Sequence, residues 1–449
     1  MHNNSSIHAA AALWSKPWFI NLLRFLAALL VVAVALGIFL NALGGVPDQT
    51  DFTQFHSAIV SYRQGHSLYQ AFVYILQLQQ VVFIGSVAGD KVSANLNPPV
   101  VSFLFYPLGW LNLRDAYYVF CYSQLALALI ALRSLLRHYG YKHPALFPAA
   151  VILLIAYFPT LSNLMIGQLG LLLFAVLAMA VTAIDNARWR TAGIWLGLAL
   201  LLKLFVGLVF IWLALTRRWL TLAWGALVYA LGMMAALLVF GVQNHLDWLK
   251  AIARYDAGAL SWNASLQGVF ERYLGASTSV YSLFHLPWLC FGLRSLAIVL
   301  AALALIWLAR QRHGFTLGLC CSLPLMLLLA PLGWIYYFPV LLICALLLWR
   351  ESAALANPAP LRCGIAGAVL LTGNPQLLSA GDFYTPSLWK SYDKGGYSVM
   401  VDGVQQTIRY GVYKWYEIPE LYTLGLLVFA ILPVWLAYRL KERSAQTGA

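Results

Sequence analysis

Apolar runs of membrane-crossing length recur through this chain from Phe19 to just before Arg439. Crossing about 30 Å of hydrocarbon takes about 20 helical residues at 1.5 Å each. A bilayer offers no partner to a bare peptide group, so a chain with so many such runs has to fold as packed helices. With 449 residues, 62% of them hydrophobic and only 10% charged, the chain reads as one integral membrane domain, all-α throughout. About ten to thirteen membrane helices are expected from the runs.

The first run, Phe19 to Leu43, is too long for a signal-peptide core and lacks a small-residue cleavage site after it, so it reads as a retained first helix. The six cysteines fall almost entirely inside apolar runs without C-x-x-C spacing. They are expected to be small buried hydrophobes, with neither a disulfide nor a metal site.

A net charge of +13 raises the question of nucleic acid, but the basic residues cluster in short loops between apolar runs. Arg133, Arg137 and Lys142 form one cluster, Arg188 and Arg190 a second, Arg217 and Arg218 a third; further basic loops follow at Arg310, at Arg350 and at Arg439. This is the positive-inside pattern, which makes these loops and both termini cytoplasmic and excludes nucleic acid as a partner. The longer connections, 44–97, 241–294 and 379–418, then lie outside and hold most of the fifteen acidic residues. Interfacial helices are expected in these outer segments.

Two stretches resist simple counting. Between Asn97 and Leu136 two apolar runs stand where charge allows an odd number of crossings. Either "PPVVSFLFYPLGWL" is a half-span bent by Pro98, Pro99 and Pro107, or the basic cluster near Arg137 breaks the charge rule. In "TAGIWLGLALLLKLFVGLVFIWLALTRRW", Lys203 sits at the centre of a run too long for one span. Burying its ammonium near mid-membrane would cost at least roughly 2.5 kcal/mol, so two short helices meeting at Lys203 are expected.

The segment "DFTQFHSAIVSYRQGHSLY" opens the first outer loop with a lone carboxylate, Asp51. At headgroup depth a carboxylate can serve as general base towards a hydroxyl. It can equally cap the helix that its own segment predicts. The rings of Phe52, Phe55, Tyr62 and Tyr69 suit a helix at the membrane surface.

The order of motifs resembles glycosyltransferase family 87, the polyprenyl-phosphate-dependent, α-mannosyltransferase-like enzymes of the GT-C superfamily. The matching pieces are the Asp51 segment, "NPPVVSFLFYPLGWL", "GQLGLLLFAVLAMA" at Gly167, "GLALLLKLFVGLVF" around Lys203, "WNASLQGVFERYLG" at Trp262 and "APLGWIYYFPVLL" at Ala330. Together they cover roughly Asp51 to Leu342. The resemblance implies a GT-C-type bundle in a bacterial inner membrane. It implies inverting transfer of one hexose, mannose first, from a polyprenyl phosphate to an acceptor hydroxyl of an envelope glycolipid or glycan, on the extracytoplasmic side. It maps the catalytic base onto Asp51.

A polyprenyl phosphate leaves readily once a cation offsets its charge, so such an enzyme needs a base and a cation but no strong acid. Lys203 and Arg272 are the candidate phosphate cations, although a lysine there could also simply snorkel to the interface. Asn263, Ser265, Gln168 and Asn97 are candidate polar contacts to donor or acceptor, and each residue type also makes ordinary turns and caps. The last motif departs from the family. It has Ala330, Pro331, Trp334, Tyr336 and Tyr337 where relatives often carry a serine and a histidine pair, which leaves the donor sugar open. Tyrosines can bind phosphate or stack on a sugar but do not carry protons near neutral pH.

No Gly-rich phosphate loop or D-x-D pair occurs, so no nucleotide sugar and no cofactor is expected. The competing readings are a glycolipid transporter or flippase, which would show internal repeats, and an O-antigen-ligase-like glycan transferase, which would need paired cations for a diphosphate.

Overall fold

The computed structural model describes Trp14 and residues 16–43, 51–69, 72–75, 80–83, 95–254, 258, 262–275, 284–311, 314–374, 396–401, 404–409 and 420–447. Parts of all three expected outer segments, including most of 379–418, lie outside the described residues. Six described helices are long and apolar enough to cross a bilayer, or seven if a bent pair counts as one span. Five shorter apolar helices accompany them, so the expected ten to thirteen crossings are reached only by including helices too short to span alone. The chain divides into two compact units: residues 1–202 with 223–253, and residues 203–222 with 254–449.

In the first unit, α1 (Pro17–Leu43) packs on α3 (Leu113–His138) and α4 (Leu146–Ala156), and α3 packs on α6 (Gly170–Asp185). Between α1 and α3 lie α2 (Asp51–Arg63), the antiparallel hairpin β1 (Phe72–Ile75) and β2 (Gln80–Phe83), and the proline-rich run. That run is no span: it forms short turns at Pro99–Val101, Ser102–Phe105 and Pro107–Trp110. Proline lacks the donor that a continuous helix requires, so the run bends. The bent half-span is therefore the alternative that the structure adopts.

Two breaks follow from local chemistry. Tyr157 is extended and Pro159 opens α5 (Phe158–Ile166), so α4 and α5 meet at 60°. The far end of α5 is closed by Gly167 at φ 65°, where Gly167 N–H donates to Leu164 and Gln168 N–H to Asn163. This is a Schellman cap, which needs a residue tolerant of left-handed backbone. The Asn163 side chain then accepts from Gly170 N–H and caps α6.

α7 (Trp189–Leu202) ends at Lys203, which is extended (φ −149°), before a 3₁₀ turn and α8 (Gly207–Leu215). The expected division at Lys203 is thus present. α9 (Trp219–Arg254) kinks at Gly241, with φ 77°, where the second outer segment was expected to begin. Gly197 lets α7 and the 223–253 part of α9 meet, since a Cβ there would lie 2.6 Å from the Gly225 carbonyl oxygen.

In the second unit, α12 (Gly314–Leu328) is the central helix, apolar all round and packed by α8, α11 (Pro287–Ala309), α13 (Leu341–Glu351) and α15 (Glu420–Thr447). α14 (Ala359–Thr372) packs on α15, and α10 (Leu266–Leu274) on α11. A second hairpin pairs β3 (Gly396–Val401) with β4 (Val404–Arg409). Gly318 sits against the buried ring of Trp212: a Cβ there would stand 2.1 Å from its Cζ2 atom. Gly318→Ala should therefore lower thermal stability in detergent by about 1–3 kcal/mol despite alanine's better helix propensity. Gly37→Ala, where a Cβ meets nothing within 4 Å, should leave the melting temperature unchanged or raised.

Candidate active site

Asp51 is the first residue of α2, and its half-buried side chain accepts a hydrogen bond from Gln168 Nε2 at 2.6 Å. These residues are 117 positions apart. What lets them meet is the backbone beside each. A Cβ on Gly167 would fall 2.5 Å from Phe52 Cβ, so α2 can lie against the α5–α6 turn only because position 167 has no side chain. Phe52 is fully buried and packs edge-on against Phe105 and Tyr117, with Phe120 tilted beside it. The carboxylate also stands in the first turn of α2.

The sequence suggests a surface helix for α2, but Phe52, Thr53, Phe55, His56, Ser57, Ala58, Ile59 and Ser61 are all buried. The cover comes from the proline-rich turns. Gly109 approaches Ile59 so closely that a Cβ would be 2.4 Å from its Cγ2. The Arg63 guanidinium donates to the Gly109 carbonyl and lies 4.6 Å over the Trp110 ring. His56 Nε2 meets the Leu111 carbonyl at 3.0 Å. Burial holds the His56 pKa below the ordinary histidine range, against the opposing pull of backbone carbonyls at Leu111 and Leu108.

Asn97 is buried and held by Asn95 Oδ1, which accepts from its backbone N–H at 3.1 Å. Its own carbonyl accepts from Tyr69 Oη at 2.6 Å. Burial, with the Asp247 charge added, pushes the Tyr69 pKa far up, so the phenol stays a donor. The residues past the Gly241 kink complete this anchor. Asn244 Oδ1 accepts from Leu68 N–H at 2.7 Å, Asp247 from Ser67 at 2.9 Å, and Trp248 Nε1 donates to the Leu96 carbonyl.

The remaining sequence candidates lie in the second unit. Lys203 Nζ stands 4.9 Å over the ring of Tyr337, which Phe205 and Tyr336 meet edge-on. Trp334 stacks on Tyr336 at 6.1 Å, and Trp262 tilts beside it. A cation beside an aromatic wall can hold a phosphate on one side and a sugar face on the other.

Asn263 is fully buried, and every hydrogen-bonding group on its side chain is used within the fold. Its Nδ2 donates to the carbonyls of Gly258 and Pro331 at 2.8 and 2.9 Å, while its Oδ1 accepts from the N–H groups of Ser265 and Gly333. Backbone pairing of Asn263 with Trp334 extends this clip between the two motifs. Ser265 caps α10 by accepting from Gly268 N–H at 3.0 Å. Arg272, also buried, pairs with Glu420 at 3.1 Å and donates to the Asn263 carbonyl at 2.9 Å, tying α10 to α15. These three residues shape the loop that presents Trp262 and Trp334.

The family model described as glycosyltransferase family 87 matches residues 95–331, more than half of the chain. The chain belongs to glycosyltransferase family 87. The family stretch contains Gln168, Lys203, Asn263 and Arg272; Asp51 precedes it, and Trp334, Tyr336 and Tyr337 follow directly. A polyprenol-phosphate-mannose-dependent alpha-(1-2)-phosphatidylinositol pentamannoside mannosyltransferase from Mycobacterium tuberculosis (strain CDC 1551 / Oshkosh) is 30% identical over 238 residues, or 52% of this chain. The alignment takes in 51% of the relative, so the chain spans about half the length of the curated relative it matches.

Sequence reasoning overlooked Gly167's contact with Phe52, the buried His56 and the Asn244–Asp247 anchor. Polar residues inside otherwise apolar runs were the available signal for Asn163 and Asn244. Gly167→Ala is expected to strain a left-handed position and push Phe52 away, lowering stability and depressing activity more than a comparable substitution at Gly37; thermal unfolding and turnover measured together check this. His56 has a lowered folded pKa, so the unfolded chain binds its proton more readily. Stability is then full above about pH 6.5 and falls as pH drops below it. Thermal unfolding between about pH 7.5 and pH 5 should decline for the native chain and be flatter for His56→Gln.

Proposed function

We propose that this family 87 protein moves a single hexose, mannose first among candidates, from a polyprenyl phosphate to a hydroxyl of an envelope glycolipid or glycan, with inversion at the sugar carbon. The observation that carries this reading is the Asp51–Gln168 contact at 2.6 Å. The amide holds the carboxylate in one orientation, as a base aimed at an acceptor hydroxyl requires. The family membership and the mannosyl donor in the relative's name support the donor class.

In the proposed step Asp51 takes the proton of the acceptor hydroxyl as its oxygen attacks the anomeric carbon. The bond from that carbon to the phosphate oxygen breaks on the opposite face, its electron pair stays on the phosphate, and polyprenyl phosphate leaves. Within the second unit, Lys203 is the proposed cation for a lipid phosphate, and Tyr336, Tyr337 and Trp334 beside it are the proposed contacts to a sugar. The inner membrane of a bacterium is the proposed location. Its basic loops would face the cytoplasm and Asp51 the opposite side, as the charge pattern favours.

Protein in lipid nanodiscs, given radiolabelled polyprenyl-phosphate mannose and envelope glycolipids, tests this directly. Transfer should fall by about 10²–10⁴-fold in Asp51→Asn with donor binding retained, and Lys203→Gln should weaken donor binding. Equal transfer by Asp51→Asn and native protein would remove Asp51 as base, and an inert panel of lipid-phosphate sugars would remove the donor class.

A further inference from the structure

Within the first unit, α1, α3 and the start of α4 enclose an open cavity of about 570 Å³. Arg24 enters it from α1, Arg133 and Arg137 from α3, and Lys142 from the connection to α4, with His143 beside them. No carboxylate lines it, and among the described residues none of the four cations is paired with one. Arg24 donates only to the neutral Asn21, at 3.4 Å, and Arg133 leans over the Phe147 ring at 5.6 Å. The Asp185 carboxylate lies instead against His138. Four like charges from three chain segments, all of them exposed, are thus gathered on one hollow, and no carboxylate among the described residues offsets them, so the hollow attracts anions.

Apart from His143 and Tyr141, the rest of the lining is apolar, with Val31, Leu129 and Val151 among it. Arg24 lies about 10 Å along α1 from Pro17 at 1.5 Å per residue, so its charge enters the apolar length of a spanning helix. The position in the membrane excludes the Asp51 site. Phe52 packs on Tyr117 of α3, and Arg133 lies about 24 Å further along that same helix, towards the opposite leaflet.

We propose that this cavity is a binding site for an anionic phospholipid of the leaflet opposite Asp51, with the phosphate held by Arg24, Arg133, Arg137 and Lys142 and an acyl chain on the apolar lining. A free phosphate would satisfy the cations but leave the lining bare, and a zwitterionic lipid would bring its own cation into an already positive hollow. The occupant ties α1 to α3 and α4 by neutralising their shared charge.

Delipidated full-length protein in neutral detergent is heated with phosphatidylglycerol, phosphatidylcholine, undecaprenyl phosphate or inorganic phosphate. Phosphatidylglycerol should raise the melting temperature by about 5 °C, by preferential binding to the folded state, and phosphatidylcholine and inorganic phosphate should not. The rise should vanish in Arg24→Gln/Arg133→Gln. Native mass spectrometry of the unaltered protein with mixed lipids gives a second reading that needs no variant, and should retain phosphatidylglycerol at low salt and release it at high salt. Equal shifts with phosphatidylcholine, an equal or larger shift with inorganic phosphate, a shift with undecaprenyl phosphate that matches that of phosphatidylglycerol and is lost in the double variant, a full phosphatidylglycerol shift in the double variant, or salt-insensitive retention would each overturn the assignment.

Discussion

A bilayer supplies no hydrogen bond to a peptide group, so every place where a helix of this chain breaks must be satisfied from within the protein. Gly167 is closed by a Schellman cap and by Asn163. The loop at Asn263 is closed by its own side-chain amide, which bonds four backbone groups. Past the kink at Gly241, Asn244 and Asp247 receive the chain around Ser67. The polar residues of an otherwise apolar chain gather at these breaks. They do so for structural reasons first, and within each unit the candidate residues are those that they leave presented.

That constraint separates residues that look alike in sequence. Gln168 and Asn263 are both amides in short motifs beside a glycine or small residue. Gln168 follows a left-handed cap and reaches a carboxylate across 117 positions. Asn263 is saturated by carbonyls and N–H groups of its own loop and of Pro331 and Gly333. Arg272 and Lys203 diverge in the same way: the first is buried against Glu420, while the second stands over an aromatic ring at the division between α7 and α8. A buried arginine that lost Glu420 would leave an uncompensated charge, which is why such a pair belongs to the framework.

Much of the charge pattern has a second meaning. The basic residues at Arg133 and Lys142 fit the pattern of the positive-inside rule, yet that pattern alone does not demand that they converge with Arg24 on one hollow. Tertiary packing of α1, α3 and α4 turned a topological signal into a place where an anion is favoured.

By itself the sequence determined the solvent, the helical class, the family and the break at Lys203, while the stretch after Gly241, read as the start of an outer segment, continues as helix to Arg254. Hydropathy, proline and glycine act locally, and the cost of a broken helix in lipid is large enough to be read from a short window. It also singled out Asp51 as a carboxylate at the start of a helix. Which groups Asp51, Asn263 and Arg272 would meet, and that α2 would be buried, were decided by tertiary structure alone. A hydrogen bond across more than a hundred residues, or a fit that depends on a missing Cβ at Gly167, leaves no period in the chain from which it could be read.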